Sequence, residues 1–367
     1  MNKSSTVFVG MDVHKDSIEI ALADADEVRR YGQVGGDASA VDRVVRKLRS
    51  AHRDLVFVYE AGPCGFWIQR RLAAQRLACM VVSPSMTPRR PGERLKTDRR
   101  DAVKLARLAR AGELTPIYVP DERDEAMRDL VRAREDAVAM QRQARQRLQA
   151  LLLRNEVRYP QRTTWTAAHR RWIAHLKLPH PAQQIAFEEY VMAVAEASAR
   201  LERFTAAIMM HLEQWRWKPV VAALQALRGV QVIHAVRIVA ELGDLSRFES
   251  PRGLMGYLGL IPSEASSGPR RRQGSITKAG NGSARRALVE AAHTYRFPAR
   301  VSRLIARRQS ALDKDVCAIA WKAQVRLCAR FRKLAARGVN RNKIVVAIAR
   351  ELSGFVWAIA RQVKPLD

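Results

Sequence analysis

Aromatic residues make up only 6% of this 367-residue chain, and it holds just four cysteines. Acidic residues are also outnumbered, 36 against 65 Lys and Arg. Each shortage excludes something. Cys64, Cys79, Cys317 and Cys328 form no CxxC step and no Cys/His zinc spacing. That argues against a disulfide framework or a zinc module, and buried thiols in a reducing cytosol are expected. No run of about 18 apolar residues occurs, so a membrane-spanning helix is not expected. Met1 to Thr6 is short and polar, unlike the start of a secretory signal. Hydrophobic residues at 47% are too many for a disordered chain and suit Ala, Leu and Val cores in two or three helix-rich domains.

What is abundant is positive charge, with a formal net of +29. Self-repulsion on that scale opposes compaction unless a polyanion screens it. Nucleic acid is the natural partner, because each neutralised phosphate releases a condensed counterion. An anionic membrane surface is the weaker alternative, since no amphipathic anchor is isolated at either end.

The first third alternates strands and helices. Val7–Asp12 is a short apolar run ending in an acid, and Ser17–Ala23 places Ile18, Ile20 and Leu22 at strand spacing. The two read as a hairpin across His14-Lys15-Asp16, with a third strand near Tyr31–Val34. A helix over Ala40–Ala51, a buried strand from Leu55 to Tyr59 ending in Glu60, a helix to about Leu77 and a strand at Cys79–Val82 follow. Three strands and then helix–strand–helix–strand is the order of an α/β RNase-H-like domain. A basic, proline-marked loop, Pro84–Lys96, leads into a helix over Thr97–Ala111.

Two long helices are predicted next. Asp121–Asn155 contains no Gly or Pro, and Ala182–Trp215 repeats apolar residues every third or fourth place. They read either as an antiparallel or coiled-coil arm or as members of one bundle. Between them, Arg142 to Arg171 holds eight Arg and one acid, with Tyr159, Trp165 and Trp172 interleaved. Arg142, Arg145, Arg170 and Arg171 are candidates for phosphate contact and the aromatics for base stacking; a solvated helical face is the alternative. The last third is mainly helical and is interrupted by a Gly- and Ser-rich loop, Ser263–Gly282. The expected organisation is a carboxylate domain (1–118), a helical or coiled-coil arm with the basic segment (119–218) and a mainly α C-terminal domain (219–367).

Acids at strand ends stand out in so basic a chain. Asp12 closes the first strand and Glu60 the fourth, and these strands are neighbours in an RNase-H-like sheet. Asp98 and Asp101, three apart, share one face of a helix. Four such anions repel unless a dication sits among them, and hard oxygen ligands suit Mg²⁺. Two ions about 4 Å apart would polarise a phosphodiester and stabilise both attacking and leaving oxygens. Singly, each acid has a structural alternative. Asp98 suits a helix cap or first turn, Asp101 an Arg partner and Glu60 a turn. Asp12 is hardest to dismiss, because an acid ending an apolar strand is costly to bury unpartnered.

Gly10-Met11-Asp12-Val13-His14-Lys15, Glu60-Ala61-Gly62-Pro63 and Lys96-Thr97-Asp98-Arg99-Arg100-Asp101-Ala102 together resemble the N-terminal signature of DEDD-type insertion-sequence transposases of the IS-one-ten (IS110) family. The resemblance implies a RuvC-like domain whose metal-binding, catalytic acids are Asp12, Glu60, Asp98 and Asp101. It extends to Glu241-Leu242-Gly243-Asp244 through Phe248, to Tyr257-Leu258-Gly259-Leu260-Ile261-Pro262, to Ser266-Ser267-Gly268, and to Ile276 through Gly282 with Arg285-Arg286-Ala287-Leu288. About residues 6–115 and 221–300 are covered. In the family a C-terminal serine attacks the DNA backbone and forms a phosphoserine link. The matching residue is Ser267, with Ser266 adjacent and Ser275 a third candidate; an ordinary Ser-Gly turn is the structural alternative. Arg270, Arg271, Arg272, Lys278 and Arg285 are placed to hold phosphate charge. Two departures are visible. Arg228-Gly229-Val230-Gln231 keeps one glycine where the family carries a Pro-Gly-Ile-Gly turn, and Thr277 stands where Ser is common.

The resemblance implies a site-specific recombinase that excises and inserts a mobile element, with donor and target DNA and a structured bridge RNA as partners. A homodimer or homotetramer in the cytoplasm, with no membrane contact, is expected. A junction nuclease in which water attacks, or a non-catalytic nucleic-acid scaffold, are the rival readings.

Overall fold

The structure is a computed structural model that describes residues 6–88, 98–264 and 273–366. It divides into two compact units, Met1–Val119 and Pro120–Asp367.

In the first unit, β1 (Thr6–Val13), β2 (Ser17–Ala23) and β3 (Val28–Gly35) precede α1 (Ala38–Ala51), β4 (Asp54–Glu60), α2 (Trp67–Ala74), β5 (Ala78–Val82) and α3 (Asp98–Arg110). The sheet order is β3-β2-β1-β4-β5. β1 pairs antiparallel with β2 and parallel with β4, and β4 pairs parallel with β5. This is the strand order expected of an RNase-H-like domain.

Side chains alternate across a strand, so the sheet has two different faces. Val7, Val9 and Met11 of β1, with Leu55, Phe57 and Tyr59 of β4, pack under Val41, Val45 and Leu48 of α1 and Ile68 and Leu72 of α2. Phe8 and Val58 lie on the opposite face, with Leu105 and Ala109 of α3. The same alternation carries Gly10, Asp12 and Glu60 to the α3 side.

That second face is built to bring α3 close. Ala21, Ala23, Ala102 and Ala106 form its contact layer. A Cβ added to Gly10 would lie 2.3 Å from the Ala102 carbonyl and 2.5 Å from the Ala106 amide. No side chain fits there, so the helix rests on bare strand backbone. Gly10→Ala is therefore expected to destabilise the unit by about 1–3 kcal/mol, the cost of overpacking, and to push the start of α3 away from Asp12. Urea unfolding together with a Mg²⁺ titration checks both effects; a variant with unchanged stability and metal response removes this account.

The second unit opens with α4 (Glu122–Arg154), followed by α5 (Ala167–Ala174) and α6 (Pro181–Leu212). α4 and α6 run antiparallel. Arg134 bonds Thr205, Gln141 bonds Ser198, and Gln183 bonds Asn155, so partners move in opposite directions along the two helices. At 33 residues and 1.5 Å per residue α4 is about 50 Å long. α7 (Lys218–Leu224), α8 (Val232–Leu242), α9 (Pro251–Tyr257), β6 (Pro262–Glu264), β7 (Gln273–Ile276), α10 (Gly282–Ala292), α11 (Arg303–Gln309), α12 (Lys314–Ala336) and α13 (Arg341–Ala360) complete it. Met127 and Val131 of α4 and Ile208 and Leu212 of α6 join the large core built on α7, α8, α10, α12 and α13. The far end of the pair has a core of its own, with Leu148, Leu151, Leu152, Ile173, Leu178 and Phe187.

The loop expected over Ser263–Gly282 is in part a two-stranded antiparallel hairpin, with Pro262 opposite Ile276 and Glu264 opposite Gln273. Its strands are three and four residues long, too short for alternation to register in a Ser-, Gly- and Arg-rich stretch. No helix among the described residues is long and apolar enough to cross a membrane.

Candidate metal centre

Asp12 and Glu60 occupy the same end of neighbouring strands. Met11 is registered opposite Tyr59, so the next residue on each parallel strand is the acid. Parallel strands lie roughly 4.8 Å apart, and both acids face α3. α3 begins with Asp98 and Asp101 in its first turn, where the helix dipole favours negative charge.

Asp12, His14 and Asp98 each offer a ligand atom within 4.8 Å of the others. The Nε2 atom of His14 lies 3.2 Å from Asp12 Oδ2 and 3.5 Å from Asp98 Oδ1. Asp12 is the most enclosed of the three, its side chain 20% exposed against 51% for His14 and 56% for Asp98. Burial pushes the Asp12 carboxyl above the ordinary Asp value, the bond and charge of His14 oppose this, and the charges of Asp101 and Asp98 push it further up. Asp101 is thus close enough to repel Asp12, and Glu60 lies on the same face and strand end; neither belongs to the three-residue group.

The donor set fits a divalent cation. Two carboxylate oxygens suit a hard ion such as Mg²⁺, while an imidazole nitrogen also suits Mn²⁺ or Zn²⁺. A cation there would relieve the crowding that lifts the Asp12 carboxyl. His14 is the member that sequence reasoning missed. The sequence places it in the turn after β1 and in the Gly10–Lys15 block, two residues past Asp12, without marking it as a ligand.

A further acid shares this face. Glu19 of β2 sits directly opposite Asp12 and is buried. Like charges so placed repel, but Arg30 takes Glu19 bidentately, Nε to Oε1 at 2.5 Å and Nη2 to Oε2 at 3.1 Å. Glu19 is therefore a neutralised neighbour of Asp12 and is not counted as a ligand.

In the second unit the motif residues brace one another. Glu241 of α8 has a fully buried side chain, takes Arg132 of α4 at 2.7 and 2.8 Å, and accepts from Asn281 at 2.6 Å. Burial would raise its pKa, but the Arg132 and Asn281 bonds win and hold it below the usual range. Asn281 also caps α10 through the Ala284 amide at 2.9 Å. Gly259 (φ +61°) and Gly280 (φ +64°) let two loops press together: a Cβ on Gly259 would sit 2.4 Å from Ala279 backbone, and one on Gly280 closer still to the Tyr257 carbonyl. The guanidinium of Arg285 donates to the carbonyls of Leu258 and Ala279 at 2.8 and 2.9 Å, buckling the same loops. The glycine kept in the Arg228–Gln231 turn, Gly229, has φ +82° and leaves no room for a Cβ beside the Ala291 carbonyl.

Ser266, Ser267, Arg270, Arg271 and Arg272 lie outside the described residues. Ser275 is exposed on β7, and Lys278 is exposed with φ +56°. Arg142, Arg170 and Arg171 are exposed, whereas the Arg145 guanidinium lies 4.8 Å from the Trp165 ring centroid. The aromatics read as a stacking platform are half-buried. Tyr159, Trp165 and Trp172 gather round buried His169, with ring centroids 4.6, 5.2 and 5.6 Å from it. They help close the end of the helical pair.

Comparison with known proteins gives the site its context. A family model of a DEDD transposase domain matches residues 9–155, and a model described as "Transposase IS116/IS110/IS902 family" matches residues 221–308. "Putative transposase y4qE" of Sinorhizobium fredii is 46% identical over 97% of this chain and 89% of its own length. "Transposase for insertion sequence element IS1533" of Leptospira borgpetersenii is 30% identical over 89% of this chain and 96% of its own. With strand-end acids and helix-borne acids brought to one sheet face, and with relatives aligned almost end to end, this chain belongs to the IS110 family of insertion-sequence transposases.

Proposed function

We propose that the protein is a site-specific recombinase that cuts and rejoins DNA strands to move its own element. Asp12, Glu60, Asp98 and Asp101 would be its metal-binding acids and Ser267 its nucleophile. The observation that carries this reading is the convergence of Asp12, His14 and Asp98 within 4.8 Å, at the end of β1 that Glu60 shares on β4. A divalent cation bound there, as one Mg²⁺ or a pair, supplies charge stabilisation at the scissile phosphate. The chain's own residues do the rest. Asp12 and Asp98 would fix the site, and His14, hydrogen-bonded to Asp12, would hold the edge of the cluster. The Ser267 hydroxyl would attack phosphorus, the 3′-oxygen would leave with a proton, and the phosphoserine bond would conserve the energy needed for rejoining.

Family membership and the net charge of +29 support donor and target DNA as substrates. The same charge suits a structured bridge RNA that pairs with both DNAs and relieves the protein of base readout. Exchange of two strands needs more than one active site, hence a homodimer or homotetramer.

The test is a covalent adduct. With nicked element-end DNA, guide RNA and Mg²⁺, denaturing gels and peptide mapping are expected to find DNA attached at Ser267, lost in Ser267→Ala. If Asp98→Ala abolishes cutting while Ser267→Ala cuts normally without an adduct, water is the nucleophile and the recombinase reading is replaced by a junction nuclease.

A further inference from the structure

α3 presents three different faces. Ala102, Leu105, Ala106 and Ala109 pack on the sheet, and the first turn carries Asp98 and Asp101. The remaining flank, Arg99, Arg100, Val103, Lys104 and Arg107, forms a groove of about 690 Å³ with Val28 and Arg30 of β3. Seven residues line it, five of them cationic, and none is acidic. Arg30 is already committed to Glu19. Arg99, Arg100 and Arg107 form no ion pair among the described residues.

Two features give the groove a direction. Arg100, Lys104 and Arg107 follow one another at helical spacing over roughly 10 Å, about three nucleotide steps of a strand. One end adjoins Asp98, next in sequence to Arg99, and Arg30 joins the groove to Glu19, the cross-strand neighbour of Asp12. A polyanion lying along these cations runs into the acid cluster. Its charge is matched in the groove, and only the cluster itself, where a cation would sit, repels it.

We propose that the α3–β3 groove binds the sugar–phosphate backbone of the DNA strand presented to the Asp12–His14–Asp98 cluster, a substrate-guiding site that rests on the proposed function for what happens at its end. Arg100, Lys104 and Arg107 each hold a phosphate by charge and hydrogen bond, without reading sequence.

The experiment uses the full-length protein in EDTA, so that nothing is cut, and a fluorescein-labelled, mixed-sequence DNA 20-mer read by anisotropy across KCl concentrations. A single strand contributes a salt slope of about 0.7 per neutralised phosphate. Arg100→Ala/Lys104→Ala/Arg107→Ala is expected to lower the slope by about 2 and to weaken binding about 100-fold at 0.1 M salt. Arg100→Lys/Arg107→Lys should keep most of both. A control, Lys322→Ala/Arg332→Ala/Arg337→Ala on and just after α12, removes the same charge from another exposed surface.

An unchanged slope in the groove variant overturns the proposal, as does an equal fall in the control. A fall seen with an RNA 20-mer and not with DNA also overturns it. If wild-type protein fails to cut DNA with Mg²⁺, the function fails while the slope still decides the groove.

Discussion

Replacing Asp12 by Asn is expected to raise the unfolding temperature of the metal-free protein and to abolish Mg²⁺-dependent strand cleavage. The first effect follows from the sign of the Asp12 shift. Its carboxyl binds protons more tightly in the fold than the ordinary value of 3.8, through burial and through the charges of Asp101 and Asp98. Between that value and the higher folded one, the native state holds more protons than the unfolded chain, so stability falls as pH rises through the window. At neutral pH the ionised carboxylate carries its full penalty, and an amide of the same shape removes it. A divalent cation relieves the same penalty by another route. Wild-type protein should therefore gain stability from Mg²⁺, and Asp12→Asn should lose that response. Catalysis moves the other way: losing a central ligand removes several kcal/mol of charge stabilisation, and about 4 kcal/mol is a 10³-fold fall in rate. Differential scanning fluorimetry with and without Mg²⁺, beside a cleavage assay, reads both. A variant that still responds to Mg²⁺ like wild type excludes Asp12 as a ligand.

The largest stability loss is expected at Asp124→Ala. Asp124 sits in the first turn of α4, its side chain 3% exposed, and binds the segment just after α6. Trp215 Nε1 donates to it at 2.8 Å and Trp217 Nε1 at 3.1 Å, and the Arg216 guanidinium bridges Asp124 and Asp121. One carboxylate thus ties the start of one long helix to the end of the other. Removing it strands two buried indole N–H groups and takes from Arg216 one of its carboxylate partners. The loss of one partner from a buried charge cluster costs about 3–5 kcal/mol. Tryptophan fluorescence during urea unfolding is a suitable probe, because Trp67 is the one indole of seven in the first unit. Asp124→Asn keeps an acceptor but loses the charge, and should fall between wild type and Ala. A loss below about 1 kcal/mol for Ala would mean that the two tryptophans are held by packing and the carboxylate is incidental.

The first unit was legible because its signals are local. Alternation in Thr6–Val13 and Asp54–Glu60 shows which residues share a face, and once the strands are neighbours the two terminal acids follow. The Asp98–Asp101 spacing fixes a helix face without any tertiary information. His14 was not legible as a ligand, because it lies beyond the last strand residue, where alternation no longer predicts direction. Nor was the close seating of α3 on Gly10, which depends on a helix more than ninety positions away. In the second unit both long helices were visible from uninterrupted apolar spacing, whereas α5 and α9, eight and seven residues long, were not. The Asp124 clamp joins residues more than ninety apart, and no pattern in either segment announces the other. That Tyr159, Trp165 and Trp172 gather round His169 was not legible either, because composition reports that aromatics are present and not what they pack against.

The α4–α6 pair is anchored at both ends, in the large core and in the small one around Ile173, and neither helix contains an internal glycine or proline. Such a pair behaves as a beam. Its base is fixed through Arg132 and Glu135, which grip α8 and α10. Arg132 shares Glu241 with Asn281, so the foot of the beam and the glycine-tightened loops rest on one buried carboxylate.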